Sequence, residues 1–261
     1  MYIMKAEKYP ELRERNGVEI MEKKRLLVVS AHPADFVWRA GGTIASYIQK
    51  GHTVKIIVLS YGIRGECNDL WKQPGQTVES VKATRDAESR RAAAILGVTD
   101  IEYWDYEDYP FTYDRERMDR LTRAIREFRP DILLTHDKND VLNPDHNAVS
   151  EMVFRCSVMS NSRGVQMEGT TVTKQMAIFG FEPHQTEISG YVPTMMIDIT
   201  DSFDKKVEAM HCFKSQSHLI EYYTQRAFMR GNHARRLSGN QSYQYAESFH
   251  HFFPSVGEEF T

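Results

Sequence analysis

The sequence predicts an α/β fold: a Rossmann-like, mostly parallel sheet flanked by helices, with a C-terminal cap region. Three observations predict it. Short, continuously apolar runs recur along the 261 residues, as expected of parallel strands buried on both faces. Longer amphipathic stretches separate them, at the spacing of βαβ units. Glycine or proline marks several of the seams between the two, where helices end.

The elements follow in order. RLLVVSAH at 25–32 is the first apolar run, and a helix runs on to about Lys50, with Gly51 just past its end. TVKIIVLSYG at 53–62 is the second strand, and residues 78–97 form a helix ending on Gly97. Ile101 to Trp104 gives a short third strand. A helix over 114–129 is closed by Pro130, and DILLTH at 131–136 is the fourth strand. Another helix begins near Asp145. QMAIFGFEP and TMMIDIT read as later strands, before a helical stretch from about Asp201 to Arg236 that breaks near Ser217. The region after about residue 165 is more mixed and is expected to cap the sheet. With no internal repeat and no composition shift, residues 25–261 read as a single domain, and residues 1–24 as a surface arm or short helix.

Composition narrows the function. Lys plus Arg is 33 against 36 for Asp plus Glu, a net charge of -3, so there is no broad basic field for nucleic acid. No stretch approaches the roughly 18 apolar residues of a membrane span, and the charged N-terminus lacks a signal-peptide core. Cys67, Cys156 and Cys212 are an odd count without paired spacing, which is neither a disulfide framework nor a thiolate metal site. The expectation is a cytoplasmic protein.

Titratable residues collect where ligands of open parallel sheets bind, beyond the carboxyl ends of the strands. His32 and Asp35 follow the first strand, Arg64 and Glu66 the second, Asp105 and Asp108 the third. His136, Asp137 and Asp140 follow the fourth, and His184 a later one. In SAHPADFVWRAGG, a three-residue offset across a strand-to-helix turn can aim His32 and Asp35 at one point. Imidazole plus carboxylate suits zinc, which in catalytic sites takes three protein ligands and keeps one position open. NPDH at 143–146 offers His146 as the third. An H-x-x-D pair alone is a weak signal.

Together, AHPADFVWRAGGTIA, SYGIRGE and NPDH resemble the PIG-L/LmbE-like family of zinc-dependent N-acetylglucosaminyl deacetylases, over about Arg25 to Pro183. The resemblance implies one divalent metal per subunit, Zn2+, held by His32, Asp35 and His146. It also implies a homo-oligomer, since relatives assemble as homo-oligomers, often hexamers.

Three departures stand inside the motifs. The family pattern opens A-H-P-D-D-E, yet the Asp that serves as general base is Ala34 here, and the Glu is Phe36. Asn143 stands where the first His of H-x-D-H stabilises the oxyanion. Losing a base and an oxyanion group removes what amide hydrolysis needs. This altered pattern resembles the 4-oxalomesaconate hydratase branch of the family. ADFVWRAGG, the GxRGE turn, DYP at 108–110, FEPHQ at 181–185 and the stretch between 204 and 231 extend that likeness.

Hydration of a conjugated alkene builds enolate charge and needs a base and an acid. Glu66 and His184 are the candidates; a solvated loop carboxylate and a structural histidine are the alternatives. A small polycarboxylate substrate requires cations, for which Arg39, Arg64, Arg226 and Arg230 are the candidates, with Asn143 also at the substrate. Asp137 and Asp140 either orient a ligand or sit in a solvated loop. Tyr222 and Tyr223 either close the pocket or belong to the core. His250 and His251 are expected in a surface tail. Two further functions stay open: a deacetylase with another base, and a non-catalytic metal-binding protein.

Overall fold

The computed structural model describes the backbone of residues 13–15 and 18–20 and all of residues 22–257. Arg13–Arg15 (β1) and Val18–Ile20 (β2) pair antiparallel as a separate two-stranded ribbon. The described pieces of the N-terminal arm are thus strands rather than a helix, and its remainder up to residue 21 lies outside the described residues.

Arg25–Ser30 (β3) becomes an interior strand because the five residues after Arg25 are all buried, as an apolar run without alternation requires. Its neighbour Thr53–Ser60 (β4) is buried in the same way over its last five residues. Each such Val, Leu or Ile contributes about 1.5–3 kcal/mol by leaving water. Between them, Asp35–Gln49 (α1) ends at Lys50, with Gly51 at φ +78. A short helix, Asn68–Trp71 (α2), precedes Val78–Leu96 (α3). Thr77 and Ser80 close a reciprocal capping box at the start of α3, and Gly97 ends it in the left-handed region.

Asp100–Tyr106 (β5) then leads to Arg115–Phe128 (α4), which Asp114 caps. Ile132–His136 (β6) runs into Pro144–Asn161 (α5), with Asn143 as its N-cap and Pro144 in its first turn. Ala177–Phe181 (β7) and Met195–Asp198 (β8) follow. The stretch after Asp201 divides into Phe203–Met210 (α6), a 3-10 turn at Lys214–Leu219, and Ile220–Ser238 (α7). Ala246–His251 (β9) closes the sheet.

The sheet order is β5-β4-β3-β6-β7-β9-β8. Strands β3 to β7 are mutually parallel, and β9 runs antiparallel between β7 and β8. One core layer, including Val28, Phe36, Ile44 and Leu96, lies under α1, α3 and α6. The other, including Leu27, Val29, Leu121 and Val153, lies under α4 and α5. The C-terminal region therefore supplies three strands of the sheet as well as helices over it. His250 and His251 are corrected accordingly: they sit in β9, not in a surface tail. His250 Nδ1 meets Asp137 Oδ1 at 2.8 Å, and the His251 ring stacks on Phe179. The run AESFHH mixes charge and imidazole, because Glu247 is buried against Lys206 rather than facing water.

The chain leaves β3 toward β4 and β5 and then returns to β6 on the other side. The crevice beyond the carboxyl ends of β3 and β6 is the switch point at which such sheets bind ligands.

Candidate active site

His32 and Asp35 lie just past β3, where the chain turns into α1. His146 enters from the first turn of α5, fixed there by the Asn143 cap. These three offer ligand atoms within 4.8 Å of one another, all on buried side chains. His32 Nδ1 lies 3.4 Å from Asp35 Oδ2, and His146 Nε2 lies 3.4 Å from Asp35 Oδ1. Both nitrogens are buried and make no hydrogen bond to any described residue. Buried polar atoms normally have partners, so two bare imidazole nitrogens facing one carboxylate fit a divalent cation.

The electrostatics agree. Burial disfavours charge on His32, yet Glu66, Asp145 and Asp35 push its pKa up to about 10. Burial alone would raise the Asp35 carboxyl, but His146 and His136 hold it well below the usual carboxylate range. This is a buried, strongly negative pocket that attracts a cation.

Around the trio, each ring is aimed by a carboxylate. His146 Nδ1 donates to Asp140 Oδ2 at 2.9 Å, which turns Nε2 inward. His32 Nε2 meets Asp145 Oδ2 at 3.4 Å. Asp140 thus holds the His146 ring rather than sitting in a solvated loop, whereas Asp137 pairs with His250. His136 accepts the Ala31 N–H at Nε2 and stacks on His146 at 3.9 Å, so it braces the ring without being one of the three. A second buried group, His32 with Asp108 and Asp145, is geometrically close. Its carboxylates are otherwise employed: Asp108 accepts the N–H groups of Ile63, Arg64 and Gly65, and Asp145 those of Tyr109 and Phe111.

Asp108 thereby clamps the loop that carries Glu66, and Asp145 the loop that carries Tyr109. Glu66 Oε1 lies 3.7 Å from His32 Nδ1 and accepts from Asn143 Nδ2 at 2.8 Å. The Tyr109 hydroxyl stands 3.4 Å from the same oxygen, and Gln216 Nε2 donates to Oε2 at 3.2 Å. Burial opposes charge on Glu66, but His32, His146 and Arg85 together outweigh it and lower the carboxyl pKa. Gly65 is required beside it: a Cβ there would sit 2.1 Å from the Tyr109 ring.

His184 occupies the 182–193 loop, half-buried, stacked on Tyr222 at 4.5 Å and 3.5 Å from the Tyr223 hydroxyl. Burial, Arg39 and Arg226 pull its pKa down to about 4, so the ring is neutral at pH 7. Three successive carbonyls hold this loop. Arg39 donates to that of Glu182, and Arg226 to those of Pro183 and His184, the last of which also accepts from Tyr222. Arg230 forms a two-bond pair with the buried Glu182. The structure thus engages Arg226 and Arg230 within the protein itself. Arg39 keeps a buried Nε without a hydrogen-bond partner among the described residues. The Arg64 side chain is exposed. Tyr109, Gln216 and Asp145 were not singled out from sequence. Asp145 lies inside NPDH and DYP contains Tyr109, so both had a motif pointing to them; Gln216 had none.

Residues 27–157 match the family described as PIG-L, GlcNAc-PI de-N-acetylase. The chain belongs to the PIG-L family. Among PIG-L relatives, it is 37% identical to the 4-oxalmesaconate hydratase of Pseudomonas putida, over 96% of this chain and 97% of that one. The crystal structure of GalB, the 4-carboxy-2-hydroxymuconate hydratase from the same organism, superposes with a TM-score of 0.87 at 37% identity. That match covers 91% of this chain and all of GalB (100%). A diacetylchitobiose deacetylase of Thermococcus kodakarensis is 28% identical over 74% of this chain and 70% of its own. No helix among the described residues is long and apolar enough to cross a membrane.

Proposed function

We propose that this chain is a zinc-dependent hydratase that adds water across the carbon–carbon double bond of an unsaturated oxo-polycarboxylate, 4-oxalomesaconate. One observation carries the proposal. The three residues that would hold the metal stand together, but Ala34 and Asn143 stand where the family's amide hydrolases place a base and an oxyanion group, and Asn143 is committed to Glu66. The near full-length likeness to a hydratase supports it. When bound by His32, Asp35 and His146, zinc supplies Lewis-acid stabilisation of the charge that develops on the oxo group.

The chain's own residues do the rest. Glu66 is ionised, anchored by amides and beside the metal ligands, which suits it to take the proton of water. His184 on the facing loop is the partner that returns a proton to carbon. Burial, Arg39 and Arg226 keep it neutral in the free protein, and the carboxylates of a bound substrate shift it back toward protonation. Arg39, through its Nε, and the exposed Arg64 are the guanidinium groups placed for substrate carboxylates. Arg226 and Arg230 support the His184 wall, and Asn143 positions Glu66 at the substrate. A cytoplasmic homo-oligomer belongs to the same proposal. The three free cysteines fit a reducing compartment, and light scattering reads the assembly.

The test offers 4-oxalomesaconate and N-acetylglucosamine conjugates side by side to the metal-loaded protein. Loss of the conjugated absorbance without acetate release is expected. Efficient acetate release makes the chain a deacetylase with another base, and no turnover of either makes it a non-catalytic metal-binding protein. Glu66→Gln keeps the size but not the base; kcat should fall roughly 10²–10⁴-fold with metal retained. Near-native turnover in that variant removes Glu66 from the chemistry.

A further inference from the structure

The break between α6 and α7 places one side chain against Glu66. At Gln216 the backbone leaves the helical region (φ -138, ψ 30) inside the 3-10 turn, and the residue is only 6% exposed. Its amide spans two environments. Oε1 accepts from Arg85 Nη1 at 3.0 Å and faces Trp38 Nε1 at 3.4 Å, while Nε2 donates to Glu66 Oε2 at 3.2 Å. Guanidinium and indole can only donate. They therefore fix the amide orientation: the oxygen must face them, and the NH2 must face the carboxylate.

Arg85 supplies that guanidinium from α3. It is fully buried on α3, donates to the Tyr61 carbonyl and the Ser215 hydroxyl, and lies 4.0 Å from its nearest carboxylate, Glu88. Glu88 is itself engaged by the Ser215 N–H and hydroxyl. A guanidinium buried without a close ion pair is costly. Its position behind Gln216 directs positive charge toward Glu66. The opposite oxygen of Glu66 is already fixed by Asn143. On the side of Gln216, a cavity of about 480 Å³ borders both Glu66 and Gln216, so the carboxylate has room to swing if released.

We propose that Gln216, aimed by Arg85, is a positioning residue that locks the Glu66 carboxylate in the orientation needed for proton transfer, a role that rests on the hydratase reading of Glu66. A misplaced proton-transfer group loses rate before it loses binding.

The experiment is a double-mutant cycle on the full, metal-loaded chain: native, Gln216→Met, Glu66→Gln, and both, assayed for 4-oxalomesaconate hydration. Gln216→Met should lower kcat about 10- to 100-fold, the scale of a lost hydrogen bond to a charged group. KM should change less than about threefold, with metal content unaltered. In the Glu66→Gln background, the same change should cost almost nothing further. Equal, additive losses in both backgrounds would overturn the inference, since a structural defect does not depend on the Glu66 carboxylate. Near-native turnover of Glu66→Gln alone would instead overturn the role of Glu66, and this inference with it. Should Gln216→Met melt early, Gln216→Asn keeps a neutral amide in the same place but is one methylene too short to span Arg85 and Glu66 at once. A low kcat in that stable variant supports the lock, and native turnover refutes it.

Discussion

Asp140→Asn tests whether the proposed metal centre is controlled by a residue outside its three proposed ligands. The Asp140 carboxylate is buried, accepts from His146 Nδ1 at 2.9 Å and from Arg39 Nη2 at 3.4 Å, and receives no other hydrogen bond among the described residues. Burial would raise its pKa, but His146 and Arg39 hold it well below the ordinary carboxylate range, so it is charged at any working pH. That charge does two things. It fixes the tautomer of His146, leaving Nε2 as the electron pair facing Asp35, and it makes the ring more basic toward a metal. Asparagine keeps an acceptor oxygen of the same reach and removes the charge. Loss of such an outer carboxylate typically weakens metal affinity about 10- to 100-fold, roughly 1.4–2.7 kcal/mol. Turnover at saturating zinc should fall less than affinity does, because the three ligands remain. Competition against a chromophoric chelator measures the affinity directly. Affinity within about twofold of native would refute the idea that Asp140 acts through His146.

Further outcomes follow from the same geometry. Replacing His32, Asp35 or His146 with Ala should abolish stoichiometric zinc by elemental analysis while the metal-free melting temperature stays close to native, because both core layers lie elsewhere. Full metal content in all three variants would contradict the assignment. Gly65→Ala drives a methyl to 2.1 Å from the Tyr109 ring. Overpacking of this kind costs about 1–3 kcal/mol, and turnover should fall as Tyr109 swings away from Glu66. A native melting curve with native kcat would show the loop to be slack. For pH, the folded pKa of His184 is held at about 4, against an ordinary value of 6.5. The unfolded chain then binds more protons between those values, so this contribution is present above pH 6.5 and lost as pH falls toward 4. His184→Asn should flatten that decline in urea unfolding at pH 7 and pH 5. An unchanged pH dependence would mean that the ring titrates normally.

The parts of the fold legible in the sequence are those in which one physical requirement dominates. RLLVVS and TVKIIVLS must be buried on both faces, so their apolar runs are unbroken and announce parallel strands. Gly51 and Gly97 end their helices in a conformation that glycine adopts without strain. Strand β9 was hidden because its requirement is mixed. Ala246, Ser248 and Glu247 are all buried, but Glu247 serves Lys206 and the N–H groups of Gly42 and Thr43, so polarity there does not mean exposure.

The site divides along the same line. His32, Asp35 and His146 sit in turns that become readable once the motifs are taken together, and the structure brings their side-chain atoms within 4.8 Å of one another. The network behind Glu66 was hidden in a helix that reads as merely polar. Yet Val81, Ala92 and Leu96 mark the buried face of α3, and Arg85 and Glu88 fall on that face at helical spacing. Charges on an apolar stripe carry a large desolvation cost that solvent-facing charges avoid. The position of Arg85 was thus visible in the sequence, but its partner was not. Gln216 lies more than a hundred residues on, in a kink with no periodicity, and only the folded chain brings its amide between Arg85 and Glu66.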